Sequence, residues 1–440
     1  MKCGMLNYEF GMEARKRDVG NGEKGTIARM NSSFSVHHSS FIVITGMGIV
    51  SPLGCNLASH WRGIETGRCA IGPIDLFDVS RHRTRLGGQV RGFESRVPAS
   101  VQSIRHLSRA DLFALTAAAE ALADAGHPET HYTPEKIAVV LGAGVGGMLL
   151  VERFAARRLS GKRANALDFV PYSPNYSCDV LAHFFGLRGE RATFATACSS
   201  SSMAIGWGYD LVRSGRVDCA LVGGSDTLCE LTYAGFNSLR SVDPEPCRPF
   251  DARRNGLSLG EGAAFLVLER MADARARGRN ADVAMLGYAM RTECHHMTAP
   301  DPSGKGAAAV MTAALHNAGL TPADVGYINA HGTATPQNDV AEASAVVRVF
   351  GEAGTSIPPV SSTKSQIGHA LGAAGALEAV TTACALRHQM LPPTVNHEQT
   401  DPLCPLDVVP NKARPASFSV ALSNSFAFGG NNCTVIFGRC

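Results

Sequence analysis

Three short segments of the 440-residue chain carry side chains suited to covalent chemistry. The first is Ala195-Thr-Ala-Cys198-Ser-Ser-Ser-Ser-Met-Ala-Ile, in which a short apolar approach delivers a cysteine to a helix-forming run. At a helix N-terminus the dipole and the free N–H groups favour a thiolate and lower the thiol pKa, so Cys198 is a candidate nucleophile. Its plainer reading is a buried cysteine beside N-capping serines. The second segment is Asn329-Ala-His331-Gly-Thr333-Ala-Thr335-Pro-Gln-Asn-Asp339. Here an apolar strand ends on a histidine, a good mounting for a catalytic imidazole, and a small hydroxyl-rich loop follows. Taken alone, a ring bonded to backbone explains it as well. The third, Ser361-Ser-Thr-Lys364-Ser-Gln-Ile-Gly-His369, runs into an Ala/Gly-rich helix containing Glu378. His369 opens that helix, where the dipole favours the neutral ring. Glu378 is too far along the helix to touch His369 and otherwise reads as an exposed helix charge.

Other patterns point elsewhere and are weaker. Gly142-Ala-Gly144-Val-Gly146-Gly147 fits the G-x-G-x-x-G fingerprint of dinucleotide sites and follows an apolar run. Residues 148–170, however, show no clean helix and strand ending in an acid, so the glycines are expected to permit tight turning and close backbone approach. Lys364 lies in no Walker motif, and H-E-x-x-H is absent. His295 and His296 are neighbours in sequence, a spacing that rarely shares a metal, so no metal site is expected.

The elements that must position these residues alternate between strand and helix. Phe41–Gly46 reads as a strand entering a glycine turn. Residues 108–125 read as an Ala/Leu-rich helix closed by Gly126. Residues 137–141 form a buried strand. A helix over about 199–213 leads to a strand starting at Cys219, and 263–268 is another. The pattern loosens over 290–306. A helix near 306–318, a strand at 325–329 and a strand–loop–helix from 359 to about 387 follow. Two strands at 418–422 and 434–437 close the chain around a glycine loop. This alternation argues an α/β fold of layered sheets and helices. The second half repeats the strand–loop–helix logic of the first without a literal sequence repeat.

Bulk properties set bounds. The length exceeds one ordinary domain. A hydrophobic fraction of 45% and a charged fraction of 18% are those of a globular chain with a sizeable core. A formal net charge of +3 gives no reason to expect a nucleic-acid or membrane partner. Thirteen scattered cysteines with no C-x-x-C pair point to a reducing, cytoplasmic setting. No apolar run is long enough for a membrane span. Residues 1–40 read as a disordered polar tail without a signal-peptide core, and Met30 is an alternative start.

The motifs together carry a resemblance. Cys198 in T-A-C-S-S-S, His331 in H-G-T-A-T and His369 in K-S-Q-I-G-H are similar to the Cys-His-His triad of β-ketoacyl-[acyl-carrier-protein] synthases. The closing Asn424-Ser-Phe-Ala-Phe428-Gly-Gly-Asn-Asn resembles that family's glycine-rich gate loop, and Cys247-Arg-Pro-Phe-Asp251…Gly260-Glu-Gly262 is also similar to the family. The match runs in order from about residue 41 to 438. It implies a thiolase-like fold of two similar αβαβα halves in a five-layered body, here 41–290 with the nucleophile and 291–440 with both histidines. It also implies a homodimer, or a heterodimer with a chain-length factor.

For function, the resemblance implies an acyltransferase of the elongating type II kind. Cys198 would accept an acyl group from acyl carrier protein. His331 and His369 would bind the malonyl thioester and stabilise the enolate formed as carbon dioxide leaves. The backbone N–H groups of Cys198 and Phe428 would form the oxyanion hole. Lys364 and Glu378 would support the site, Thr333 and Thr335 would bind the phosphopantetheine arm, and Phe428 would gate. Val145 would line the end of the acyl tunnel, with Phe236 as a further substrate contact. No resident cofactor is implied, because the phosphopantetheine arrives on the carrier. Cys-His-Asn would mean a chain-initiating synthase, Cys-His-Cys a thiolase, and loss of the cysteine a non-catalytic chain-length factor. Ala427 and Asn431 depart from the usual F-G-F-G-G-T-N gate, and Glu293-Cys-His-His-Met-Thr298 has an unusual lead-in. These departures leave room for a specialised polyketide or polyene substrate.

Overall fold

The computed structural model describes residues 41–95 and 106–440. The tail expected over residues 1–40, with the question of a start at Met30, lies outside the described residues. Ten strands share one sheet: β1 (Ile42–Val50), β2 (Ile137–Gly142), β3 (Arg191–Phe194), β4 (Cys219–Asp226), β5 (Gly262–Arg270), β6 (Val283–Thr292), β7 (Tyr327–Asn329), β8 (Val360–Ser361), β9 (Val420–Phe426) and β10 (Asn431–Arg439). Their order is β3-β2-β4-β5-β1-β6-β10-β9-β7-β8.

That order contains a duplication. In β1–β5 the sheet runs third, second, fourth, fifth, first, and β6–β10 repeat the same sequence of positions. Strand directions repeat too. The second strand is parallel to the third and fourth in each half, and the fifth is antiparallel to the fourth and first. The two half-sheets are joined by the pairing of Ile42 with Met285 and Val43 with Ala284. The division expected at 290/291 therefore falls inside β6, the first strand of the second half.

The helices complete five layers. α1 (Arg109–Asp124) and α3 (Tyr176–Phe184) cover the outer face of the first half-sheet. α4 (Ser200–Arg213) and α8 (Ala374–His388) pack between the half-sheets and share their largest apolar core. α6 (Lys305–Ala318) and α7 (Pro336–Val346) cover the far face of the second. A layer buried on both faces explains why β1, β4 and most of β5 are buried throughout and read as continuous apolar runs.

Two expectations change. Gly46 does not turn the chain. β1 continues through a register shift to Val50, because α1 lies so close that a Cβ at Gly46 or Gly48 would collide with the carbonyl oxygens of Ala121 or Ala117. Residues 148–170 do contain a helix, α2 (Met148–Leu159), followed by a 3-10 segment rather than a strand. The helix over 108–125 is present as α1, capped by Ser108 and Asp111 in a reciprocal capping box.

Candidate active site

Four strand ends meet at the site, each the carboxyl end of a strand, the side where open α/β sheets present their loops. β3 leads through Ala197 to Cys198 and α4. Ala197 has φ 53, a left-handed backbone costing on the order of 1–3 kcal/mol, and Cys198 sits on this sharp strand-to-helix turn. β7 leads to His331, and β8 through the single helical turn Lys364–Ile367 to His369. β9 leads to Phe428 and the gate. Because β7 and β8 belong to one half and β3 to the other, the site needs both halves.

The side chains converge. Sγ of Cys198 is 3.0 Å from Nε2 of His369. The rings of His331 and His369 stand edge to face with centroids 5.5 Å apart. Ligand atoms of all three residues lie within 4.8 Å of one another. Lys364 is buried behind them, donating from Nζ to the His331 carbonyl at 2.6 Å and to Glu378, and lying 3.4 Å from His331 Nδ1. An ammonium has only donors, so Nδ1 of His331 accepts, which leaves the ring proton on Nε2. Glu378 is not an exposed helix charge. It is buried and paired with Lys364.

Burial dominates the electrostatics. Both imidazoles are held well below the ordinary 6.5 by burial and then by the charge of Lys364, so both are neutral. Burial likewise pushes the Cys198 thiol up to about 11, opposed by Lys364 and by the backbone N–H groups of Phe428 and Cys198 directed at the sulfur. The thiolate expected from the helix start is thus not the resting form, because desolvation outweighs the dipole. The sulfur must give up its proton as it reacts, and His369 is the base within reach.

A cavity of about 280 Å³ opens above the sulfur, lined by Cys198, His331, His369, Thr333, Thr335, Phe236 and Phe428 among others. Thr333 and Thr335 join their hydroxyls at 3.0 Å on its wall. Phe236, on α5 (Glu230–Ser238), stacks on Phe428 with centroids 5.8 Å apart. Val145 does not line this cavity. It packs in the apolar cluster behind it, with Phe236 and Leu371.

Family comparison agrees with this arrangement over most of the chain. Residues 39–274 match the N-terminal domain, and residues 283–398 the C-terminal domain, of beta-ketoacyl synthases. The chain belongs to the beta-ketoacyl synthase family. It is 39% identical to 3-oxoacyl-[acyl-carrier-protein] synthase 2 of Synechocystis sp., across 90% of this chain and 98% of that protein. In three dimensions it is similar to the ishigamide ketosynthase/chain length factor, with TM-score 0.85, 34% identity, 91% of this chain and 99% of that one. A ketosynthase of Xenorhabdus doucetiae, in complex with its chain length factor, matches at TM-score 0.81 and 32% identity, covering 91% of this chain and 98% of that one.

Three buried acids of this ketoacyl synthase were invisible as site residues in the sequence. Glu342, on α7, accepts the backbone N–H of His331 at 2.9 Å and of Gly332 at 2.8 Å, and so fixes the turn that carries His331. Asp339, one turn earlier, accepts from Ala334 and Phe250. Asp226, at the end of β4, accepts from Gly144, Val145, Gly146 and Gly372. The glycine nest that resembled a phosphate cradle is thus filled by a carboxylate of the chain itself. The only advance signal was spacing, Asp339 and Glu342 on one face of a helix opened by Pro336, and nothing in the sequence says that this face is buried.

Proposed function

We propose that the protein is a 3-oxoacyl-[acyl-carrier-protein] synthase that elongates an acyl chain by decarboxylative condensation with malonyl-carrier protein. The observation that carries this is Sγ of Cys198 held 3.0 Å from His369 Nε2; the backbone N–H groups of Phe428 and Cys198 favour negative charge at the same place. In the first step Sγ attacks the carbonyl of an acyl thioester as His369 takes the thiol proton. The carrier thiolate leaves and recovers that proton. The two N–H groups hold the oxyanion between these events.

In the second step malonyl-carrier protein enters, and its thioester oxygen is held by Nε2–H of His331 and by His369, whose Nε2 carries a proton again once the ring proton has moved there from Nδ1. The carbon–carboxylate bond breaks, carbon dioxide leaves, and its electron pair forms the enolate. The enolate carbon attacks the acyl-Cys198 carbonyl, and the sulfur departs as the leaving group, taking the Nε2 proton of His369 as solvent returns one to Nδ1. Lys364 and Glu378 hold His331 from behind, Thr333 and Thr335 bind the phosphopantetheine arm, and Phe428 with Phe236 forms the gate. The phosphopantetheine comes on the carrier, so the reaction as written uses no resident cofactor or metal.

Acyl carrier protein is the proposed partner, and a second subunit the proposed assembly. Edge strand β3 has an unpaired side in the described residues, and Leu167, Phe169, Val170 and Tyr172 are exposed. These features support a homodimer, or a heterodimer with a chain-length factor, the assembly named for two similar structures. A reducing, cytoplasmic setting is supported by the free thiols of every cysteine in the described residues. No helix among those residues is long and apolar enough to cross a membrane.

Mass spectrometry after incubation with acyl-carrier proteins of graded length tests the reading. An acyl mass on the peptide containing Cys198, followed by carbon dioxide release on adding malonyl-carrier protein, is expected. Continued chain elongation by Cys198→Ala would sink it.

A further inference from the structure

The cavity above Cys198 has a charge imbalance at its mouth. Three carboxylates line it, and each already has donors. Glu293 accepts from the Asp301 N–H and Asn432, Asp301 from Ser303, and Glu342 from His331 and Gly332. The one guanidinium lining it among the described residues belongs to Arg240. That side chain is exposed and has no hydrogen-bond, ion-pair or ring partner among the described residues. The cavity therefore presents an unpaired positive charge at its rim, while Cys198 lies buried at its floor and Thr333 and Thr335 stand on its wall.

Its backbone setting is unusual. Arg240 lies just past the C-terminus of α5 with φ 54, the position and conformation where glycine is ordinarily used. Favourable interaction of a cation with the helix C-terminus accounts for part of the choice. It does not account for a side chain lining the catalytic cavity. The same helix places Phe236 against the gate residue Phe428, so a ligand held at Arg240 is in register with the gate.

We propose that Arg240 binds the phosphodiester of the phosphopantetheine arm at the mouth of the cavity. A planar guanidinium matches two phosphate oxygens at once, and a charge-assisted pair is stronger than a neutral one. The assignment rests on the reading of the cavity as a carrier-thioester site. It adds to it the anionic end of the arm, opposite the thioester held by Cys198 and the histidines.

The test is binding to the full, unacylated chain, measured by calorimetry with phosphopantetheine and with pantetheine, which lacks the phosphate. The wild type is expected to prefer phosphopantetheine by about 10-fold. Arg240→Gln should abolish that preference while leaving pantetheine binding unchanged, and Arg240→Lys should retain part of it. No preference in the wild type, or an undiminished one in Arg240→Gln, overturns the proposal. So does a loss in Arg240→Gln confined to whole carrier protein, which would assign the guanidinium to a carboxylate of the carrier. Acyl transfer to Cys198 is followed in parallel by mass. Its failure beside an intact phosphate preference would reject the condensing function and not the phosphate contact.

Discussion

Glu342→Gln separates the two half-reactions. The carboxylate accepts the N–H groups of His331 and Gly332 at 2.9 and 2.8 Å, with Asn424 Nδ2 at 3.3 Å from the same side chain. Glutamine keeps the shape but has one acceptor oxygen, and its amide N–H₂ must then face a backbone donor. One buried N–H loses its partner, at a cost of about 1–3 kcal/mol. The strain falls on the turn that carries His331 and not on the Cys198–His369 pair. A displaced His331 should slow malonyl-carrier decarboxylation by about 10- to 100-fold, in line with the loss of a positioning contact behind a catalytic group. Transfer of the acyl group to Cys198 should stay within about 2-fold of wild type, since a 0.4 kcal/mol change in barrier is about that size. Mass spectrometry of the Cys198 peptide follows the first step, and carbon dioxide release from malonyl-carrier protein follows the second. Equal losses in both steps, or unchanged decarboxylation, would refute the assignment of Glu342 to His331.

Asp226 is buried with no cationic partner among the described residues, and burial raises its pKa from the ordinary 3.8 to about 6 despite four backbone donors. A raised acid binds a proton in the folded state that the unfolded state releases, so this group's contribution is fullest below pH 3.8 and is lost as pH rises through about 6. That rise corresponds to about 3 kcal/mol, and urea titrations from pH 4 to 7 should show a correspondingly smaller fall in stability for Asp226→Asn than for wild type. Because burial pushes the Cys198 thiol up to about 11, alkylation by iodoacetamide should keep accelerating above pH 9, and a plateau near neutrality would contradict a protonated resting thiol. Gly46→Ala should destabilise the fold by about 3 kcal/mol in chemical denaturation, since its Cβ would meet backbone atoms of α1 that cannot move aside; an unchanged midpoint would show that α1 shifts freely.

Much of the chemistry was legible before any coordinates. Cys198, His331, His369 and Lys364 sit in segments that are each ambiguous alone and point to one chemistry when taken in order. The alternation of apolar runs with helical ones determined an α/β layered fold, because side-chain period is a local property of the backbone. Several features were outside its reach for one physical reason: burial and proximity are set by distant parts of the chain. Glu378 read as a surface charge, and Glu342 drew no reading at all, until α7 and α8 were packed. The glycine run at 142–147 reads as tight turning and close approach, but its occupant, Asp226 from another strand, could not be foreseen. The duplication became plain in strand order, not in residue identity, since topology repeats where sequence has diverged.

The protonation of Cys198 shows the division most sharply. Sequence alone determined which sulfur could react, by placing a cysteine at the start of a helix with two histidines to follow. It also predicted a thiolate, because the dipole of one's own helix is the only field that local sequence contains. The tertiary structure decided otherwise. It sealed the sulfur beneath both halves of the protein, where the loss of water outweighs the dipole, and supplied from the opposite half the imidazole that can take the proton.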